Sequence, residues 1–512
     1  MGQSVHMAKG IGLRAVIVSL GTLASRILGF VRDLVIARIF GADALTDAFF
    51  VAFRIPNLLR RLFAEGAFAG AWVPVLSTTK TQEGLDSAFA LIRSTLTYLA
   101  LITTAITLLS WVAMPWVIAV FAPGFDDPHQ FDEAVAMGRI VFPYLIFIVL
   151  VAASGGILNT FDRFAVPAWT PIWLNVAMIA MSFWGLEWFP EPIHALAWGV
   201  VIGGFFQLVF QIRPLLKLGL SLRPTLVVHN AMGRLLKLMA PMAFGAGVYQ
   251  INLLVSTMLA SLVGAGAISW LYYADRLLQF PLGIIAIAIG TAVLPLMSRA
   301  AATGSEELLR DHYRSGMHLV QVWTLPAAVG LGLLADPIVR LLFGSGAFNA
   351  QAVTMTAWAL IAYVPGLVAL SLVKVMTPVF YSHEQTKRPT VIGIGVMIAN
   401  MAISVPLMLL WGHIGLALAT SISGWIQVVW LWWEINRDFP HLKTSPLILI
   451  GHLRPWIGTA LMGALVLVGM GRVHLAILIP VAGLLYLGTL LLLRDPALDL
   501  LKSKLLKGAP SR

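Results

Sequence analysis

The chain contains no cysteine among its 512 residues, which excludes disulfides, thiol chemistry and metal sites built on cysteine. Charged residues are also scarce, at 11% of the chain against roughly 25% in soluble domains. Hydrophobic residues make up 59%, and the mean hydropathy is +0.88. This composition predicts an all-α polytopic membrane protein, since apolar surface on this scale must be covered by lipid as well as by other helices.

Apolar stretches of about 20 residues, enough to cross a bilayer as a helix, recur along the whole chain. They predict fourteen transmembrane helices, near 12–37, 44–77, 88–120, 136–160, 166–187, 193–212, 236–263, 267–298, 316–336, 351–381, 389–411, 414–436, 448–470 and 474–493. We expect the first two to bend or break near Gly29, Gly41 and Pro56. The first stretch has no small-residue cleavage site before its arginines, so we expect a first span rather than a cleaved signal peptide.

The basic residues predict the orientation in the membrane. With a cytoplasmic N-terminus, 21 of the 34 Lys and Arg residues fall in cytoplasmic segments, 3 in outer segments and 10 within predicted spans. Basic loops are retained on the cytoplasmic side, so both termini are expected there. Topology therefore accounts for the net charge of +11, and no nucleic-acid partner is expected.

The chain also contains an internal repeat. The stretch GADALTDAFFVAF (41–53) aligns with GAGAISWLYYADR (264–276) at an offset of 223 residues, and three later proline pairs follow at 221 or 222. The offset spans six predicted helices, an even number, so both copies should cross the membrane in the same direction. We predict two parallel six-helix lobes, 1–222 and 223–440, followed by helices 13 and 14 in 441–512. Such a duplication is typical of transporters.

Several charged residues fall inside the predicted spans, where each costs about 2.5–3.5 kcal/mol at the membrane centre. They are Arg26, Arg32, Asp33, Arg38, Asp47, Arg54, Arg60, Arg61 and Glu65 in the first two helices, Asp275 and Arg276 in the eighth, and Lys374 in the tenth. Two interpretations are open. Pairs such as Arg32 with Asp33, or Arg61 with Glu65, can brace the bundle, or the charges can line a polar cavity between the lobes.

The type of basic residue indicates what such a cavity would hold. Between residues 26 and 65 every basic residue is arginine. Arginine grips phosphate or carboxylate through a planar fork and stays charged, so the pattern predicts an anionic substrate such as a phosphate or pyrophosphate. Helical spacing puts Asp47, Arg54, Arg61 and Glu65 on one stripe, but Pro56 can shift the phase, so geometry leaves both Arg60 and Arg61 open. The chain has no P-loop and no metal-ligand motif, so we expect neither cofactor nor metal.

Three stretches of the sequence resemble a known family. The segment SRILGFVRDLVIARIFGADALTDAFFVAFRIPNLLRRLFAEGAF (25–68) resembles the N-terminal signature of the lipid II flippases, the MurJ or MviN family. The stretches WLYYADRLLQFPLG (270–283) and VKVMTPVFYS (373–382) are similar to that family too. The resemblance implies the V-shaped two-lobe fold of the multidrug/oligosaccharidyl-lipid/polysaccharide (MOP) exporter superfamily. It implies a transporter, not an enzyme, which moves lipid II (undecaprenyl-pyrophosphoryl disaccharide-pentapeptide) from the cytoplasmic to the periplasmic leaflet of the bacterial inner membrane.

The resemblance also implies roles for individual residues. The essential cavity arginines of the family match Arg26, Arg32, Arg60 and Arg276, which favours Arg60 over Arg61. An essential aspartate matches Asp47, and a functional carboxylate matches Glu65. We expect supporting or gating roles for Ser25, Asp33, Asp47, Arg54, Glu65, Asp275 and Lys374.

Ions and partners follow from the same resemblance. Some members bind sodium through an aspartate on helix seven, but no Asp or Glu lies between 236 and 274, so the driving force stays open. Helices 13 and 14 form a lipid-tail groove in the family. We expect a monomer in membrane lipids, with other cell-wall synthesis proteins as candidate partners. The alternatives are a cation or drug antiporter on the same scaffold and a membrane-embedded transferase acting on polyprenyl lipids.

Overall fold

The computed structural model describes the backbone of residues 2–60 and 68–498, and the side chains of these residues apart from 2–15, 69 and 241–249. Every regular element in this part of the chain is a helix, so the predicted all-α class is confirmed. By its contacts the chain divides into two units. The first unit comprises Met1–Ser269 and Gly346–Asn349, and the second comprises Trp270–Ser345 and Ala350–Arg512.

The first unit contains ten helices in its described part. They are α1 (Gly2–Phe40), α2 (Ala44–Arg60), α3 (Phe68–Gln82), α4 (Leu85–Phe121), α5 (Pro128–Val141), α6 (Tyr144–Thr160), α7 (Ala165–Trp169), α8 (Pro171–Trp184), α9 (His194–Leu216) and α10 (Ala231–Ser261). A short 3₁₀ turn, Leu186–Trp188, separates α8 from α9. Part of the core surrounds Trp72, which is fully buried and donates its indole N–H to the carbonyl of Ala153, 3.2 Å away.

The second unit contains the remaining helices of the described chain. They are α11 (Ala267–Pro281), α12 (Ile287–Ala302), α13 (Glu306–Leu333), α14 (Ala335–Leu342), α15 (Ala350–Ser382), α16 (Lys387–Asp438), α17 (Leu447–Ile450), α18 (Leu453–Gly469) and α19 (Leu475–Leu492). The first turn of α11 belongs to the first unit. A π-helical turn, Leu282–Ala286, joins α11 to α12.

Ten helical stretches of the described chain are long and apolar enough to cross a membrane. One of them, α16, has non-helical dihedral angles at Gly412 (φ 57°, ψ −132°) and so covers two predicted spans. The three other predicted spans, near 12–37, 44–77 and 236–263, correspond to α1, to α2 with α3, and to α10. The multi-pass membrane prediction is therefore confirmed.

Glycine ends the first helix. Gly41 has a φ of +75°, in the left-handed region that glycine adopts at low cost. Gly264, its counterpart in the repeat, also has a positive φ, +127°, between α10 and α11. At the two other expected break points, α1 continues through Gly29 and α2 continues through Pro56, so neither helix ends there.

The last two helices are attached to α13. The hydroxyl of Tyr486 on α19 donates to the carbonyl of Val322, 2.5 Å away. Just beyond α19, a carboxylate oxygen of Asp495 lies 2.7 Å from Nε2 of His318, and both side chains are buried. The lobes predicted at 1–222 and 223–440 divide the chain by its repeat rather than by its contacts, and they stay a prediction.

Candidate functional site

The buried arginine of α1 is held in a polar network. Arg32, which is 6% exposed, donates to Oδ1 of Asp33 from Nη2 (2.7 Å) and from Nε (3.1 Å). Its Nη1 donates to Oδ1 of Asn175 on α8, 3.1 Å away. The amide nitrogen of Asn175 in turn donates to the carbonyl of Ser25 at 3.2 Å. This network joins two turns of α1 to α8.

Burial decides the energetics of this network. Removing one partner of a buried ion pair costs about 3–5 kcal/mol, because the other charge is left uncompensated. In this structure the guanidinium of Arg32 faces Asp33 and Asn175, an arrangement that braces the two helices.

The carboxylate of Asp47, on α2, caps the start of α11. One oxygen accepts the backbone N–H of Gly266 at 2.7 Å. The other accepts the backbone N–H of Ser269 at 2.7 Å and its hydroxyl at 2.5 Å. The first N–H groups of a helix have no partner within the helix, and a carboxylate there satisfies them and complements the helix dipole. Asp47, which is 1% exposed, therefore holds the first turn of α11.

The repeat explains why this cap comes from so far away in the sequence. In the first copy Asp43 caps α2 locally, since its Oδ1 accepts the N–H of Thr46 at 2.9 Å. The counterparts of Asp43 and Thr46 in the second copy are Gly266 and Ser269. Glycine has no side chain to cap with, so α11 depends on Asp47 for the acceptor that α2 has of its own.

Two glycine turns of the repeat pack against helix ends in a reciprocal way. The N–H of Gly124 donates to Oγ of Ser261, 3.2 Å away at the end of α10. The N–H of Ala347, next to Gly346, donates to the carbonyl of Arg38, 2.8 Å away near the end of α1. Gly124 and Gly346 are 222 residues apart, and Arg38 and Ser261 are 223 apart, so each copy's turn meets the other copy's helix. We call these two contacts the reciprocal clasp.

The clasp predicts that Gly346→Ala lowers the stability of the protein by more than the backbone strain of a positive φ would by itself. Gly346 has a φ of +68°, and an added Cβ would overlap the carbonyl oxygen of Arg38. Gly304 has nearly the same φ, +67°, with nothing within 4 Å of such a Cβ. Gly304→Ala should cost about 1–2 kcal/mol, and Gly346→Ala more. Thermal unfolding of both purified variants measures the difference, and equal losses would contradict the close approach at Arg38.

Arg54 and Arg60 of α2 each donate a hydrogen bond to a neutral side chain. Arg54 donates through Nη1 to Oγ1 of Thr257 on α10. Arg60 donates from Nε to Oδ1 of Asn57, 2.7 Å away on the same helix. Both side chains are partly exposed. Arg61 and Glu65 lie outside the described residues.

Asp47 and Arg54 lie on the same side of α2, as their spacing of seven residues predicts. The first reaches Gly266 and Ser269 at the start of α11, and the second reaches Thr257 near the end of α10. The face of α2 that carries these two charges is therefore directed toward the α10–α11 corner.

The second unit contains the other predicted site residues. On α11, Arg276 donates from Nη2 (2.9 Å) and Nε (3.2 Å) to the hydroxyl of Tyr272, and its guanidinium lies 5.0 Å from the centre of that ring. Asp275 accepts from the amide of Gln279 one turn later. On α15, Lys374 is exposed, and its backbone carbonyl lies close enough to Gly290 to exclude a side chain there.

Arg26 on α1 has the most open environment of the predicted ligands. It is exposed and makes no hydrogen bond or ion pair with any other residue in the described part of the chain. Ser269, Thr257 and Tyr272 contact site residues but were not predicted to do so from the sequence. Of these three, only Ser269 could have been predicted from the sequence, because it is the repeat counterpart of Thr46, whose N–H is capped by Asp43.

Comparison with known proteins now identifies the family. The family described as "Lipid II flippase MurJ" matches residues 36–486. The chain belongs to the MurJ family. The lipid II flippase MurJ of Burkholderia cenocepacia is 39% identical over 422 residues, covering 81% of this chain and 82% of the relative. The probable lipid II flippase MurJ of Vibrio cholerae is 38% identical over 471 residues, covering 90% of each. The membership predicted from residues 25–68 is confirmed.

Solved structures agree with this assignment. A lipid II flippase MurJ in an inward closed conformation matches with a TM-score of 0.81 and 28% identity, covering 94% of this chain and 99% of that one. An inward-facing MATE family multidrug transporter of the MOP superfamily matches with a TM-score of 0.68 and 12% identity, covering 83% and 98%. Likeness at 12% identity shows a shared fold and does not extend to function.

Proposed function

We propose that this MurJ family protein is a lipid II flippase, a transporter rather than an enzyme. The observation that carries the proposal is the match to the family over residues 36–486. The substrate would be the undecaprenyl-pyrophosphate-linked precursor, moved from the cytoplasmic to the periplasmic leaflet of the bacterial inner membrane by alternating access. We further propose that the protein works as a monomer with both termini in the cytoplasm.

The arginines are the groups we propose to bind the pyrophosphate. A guanidinium matches phosphate with two parallel hydrogen bonds and cannot lose its charge by deprotonation. Arg26 is exposed, and the contacts of Arg60 and Arg276 include an amide oxygen and a hydroxyl, respectively. Arg32 is bound to the carboxylate of Asp33, so a phosphate would compete with an anion for its guanidinium.

The remaining polar residues would support these ligands. Asp33 holds Arg32 in the absence of substrate, and Asp47 fixes the first turn of α11. Ser25 contributes its carbonyl to the Asn175 contact. Arg54, Asp275 and Lys374 are proposed supporting or gating residues of the same transport path, as is Glu65, which lies outside the described residues.

The direct test is translocation of labelled lipid II by purified Arg276→Ala protein in vesicles. Loss of charge-assisted hydrogen bonds worth about 1.5–3 kcal/mol each predicts a fall in rate of at least about tenfold. Arg276→Lys should fall between this variant and the wild type, because lysine keeps the charge and loses the fork. Arg472→Ala, an exposed arginine beyond α18, is the matched control and should translocate normally.

The same experiment separates the alternatives. A folded Arg276→Ala protein that moves lipid II at the wild-type rate would sink the binding assignment. A wild-type protein that expels cationic dyes from vesicles but leaves lipid II in place would select the antiporter hypothesis. Chemical conversion of the labelled precursor in detergent, where no leaflets exist, would select the transferase.

A further inference from the structure

The connection between α9 and α10 follows an unusual path for a surface loop. Residues 217–230 contain no helix and lie partly along α4. Two contacts tie the outgoing half to that helix. Nε of Arg93 donates to the carbonyl of Arg223 at 3.2 Å, and the N–H of Thr225 donates to Oγ1 of Thr97 at 3.1 Å.

The connection then turns back. The hydroxyl of Tyr98 donates to the carbonyl of Leu226 at 2.8 Å, the furthest point along α4 that the segment reaches by a hydrogen bond. On the way back, the backbone N–H of His229 donates to Oγ of Ser94 at 3.4 Å. Nε2 of the His229 ring lies 3.0 Å from Oγ of Ser87. The connection therefore runs along α4 toward the C-terminal end of that helix and then reverses, with Leu226–Val228 at the reversal, which we call the tip. We call residues 221–229 the re-entrant loop.

Hydroxyl groups satisfy the backbone of the re-entrant loop in a regular way. They accept the N–H groups of four alternate residues, Arg223, Thr225, Val227 and His229. The acceptors belong to Ser221 and Thr225 of the loop itself and to Thr97 and Ser94 of α4. Non-helical backbone needs such partners where water is scarce, as at the depth of a membrane interface.

The length of α4 indicates how deep the tip lies. Large apolar side chains of α4 are exposed from Leu101 to Val120, a stretch that spans about 30 Å and matches the hydrocarbon core. Tyr98 precedes this stretch by three residues, about 4.5 Å, and so falls in the interfacial region where tyrosine is enriched. Arg93 precedes it by eight residues, about 12 Å, which is the level of the headgroups or just beyond.

The side chains of the re-entrant loop suit this position. Leu226, Val227 and Val228 are 72%, 75% and 59% exposed, although all three are apolar. Nε of Arg93 donates to the backbone carbonyl of Arg223, three residues before the tip, and neither arginine is paired with a carboxylate among the described residues. A carboxylate is present near the other end of the loop, where Oε2 of Glu83 accepts a hydrogen bond from the hydroxyl of Ser87 at 2.5 Å.

We propose that the re-entrant loop is a lipid-binding element that dips into one leaflet, the inner one if the predicted orientation holds. Its tip enters the interface, and Arg93 with Arg223 binds the phosphate of an anionic phospholipid. The apolar side chains of the tip suit the acyl chains of such a lipid, and the two nearby arginines suit its negatively charged headgroup. The connection between the two repeat copies is thereby anchored to the membrane surface, independently of what the protein transports.

The absence of cysteine makes the test simple, because Val227→Cys creates a unique labelling site. The full-length protein carries an environment-sensitive fluorophore there, in nanodiscs of phosphatidylcholine with or without phosphatidylglycerol. We expect blue-shifted emission and quenching by brominated lipid, approaching a label at Leu109→Cys on the lipid face of α4. A label at Thr303→Cys, in an exposed turn after α12, is the aqueous control. Emission at Val227→Cys that matches the aqueous control would overturn insertion of the tip.

The arginines are tested with the same label. Brominated phosphatidylglycerol should be enriched over brominated phosphatidylcholine at the tip by roughly fivefold per arginine. The double substitution Arg93→Gln and Arg223→Gln should remove this preference and keep the blue shift. Equal quenching by the two lipids in the unsubstituted background would contradict the anionic site. A label shielded from both lipid and aqueous quenchers would show that a second copy covers the tip, which also overturns the proposal.

Discussion

Replacing Asp47 with alanine should reduce lipid II translocation by at least tenfold while the protein still folds into the membrane. The substitution removes the acceptor of two backbone N–H groups and one hydroxyl at the start of α11. Hydrogen bonds to a charged acceptor contribute about 1.5–3 kcal/mol each, so the first turn of α11 loses its cap. Translocation of labelled lipid II in vesicles measures the effect, and complementation of cells depleted of the native flippase provides a second readout.

A graded series tests capping against other roles for the carboxylate. Ser269→Ala removes only the hydroxyl contact and should have the smallest effect. Asp47→Asn keeps one acceptor oxygen and turns an NH₂ group toward a donor, so it should be worse but less severe than alanine. Asp126→Ala, an exposed carboxylate before α5, should have no effect. Asparagine as damaging as alanine would point to the charge itself, and wild-type transport by Asp47→Ala would contradict the capping role.

Replacing Arg32 with alanine should cost about 3–5 kcal/mol of stability, because it breaks a buried ion pair with Asp33. The double substitution Arg32→Ala with Asp33→Ala should recover much of this loss, since it removes both charges of the pair. If Arg32 also binds the pyrophosphate, the double variant should be stable and yet inactive. Thermal unfolding and vesicle translocation, measured on the same preparations, separate the structural role from the ligand role.

The exposed pair Arg340–Asp336 on α14 is the control for this cycle. Its two groups lie 3.0 Å apart but are about half exposed, so Arg340→Ala should change stability by less than about 1 kcal/mol. Full stability of the Arg32→Ala single variant would contradict the argument from burial. A double variant with wild-type transport would show that Arg32 only braces α1 against α8.

Residues close in sequence made much of the fold predictable. Runs of apolar residues placed the membrane-spanning helices, because a bilayer selects for helices of a set length. Glycine predicted the break after α1, where Gly41 adopts a positive φ, and its repeat counterpart Gly264 does the same between α10 and α11. The spacing of Asp47 and Arg54 predicted that both lie on one face of α2. Each of these inferences depends on backbone geometry within a few turns of helix.

The partners of the charged residues could not be predicted in this way. Helical phase puts Arg32 on a face of α1, but it does not say that Asn175, 143 residues later, lies opposite. Nor does it say that Asp47 caps a helix 222 residues away, or that the connection after α9 turns back along α4.

The sequence by itself therefore determined the class of protein, its helices, its duplication and the residue types that an anionic substrate requires. The tertiary structure alone decided that Arg32 is held by Asp33 and Asn175, and that Asp47 serves α11. The physical reason is that hydropathy and helical periodicity determine where a single helix runs and which residues share one of its faces. Which charge meets which acceptor depends on how helices far apart in the chain pack side by side, where each buried polar group must find a partner.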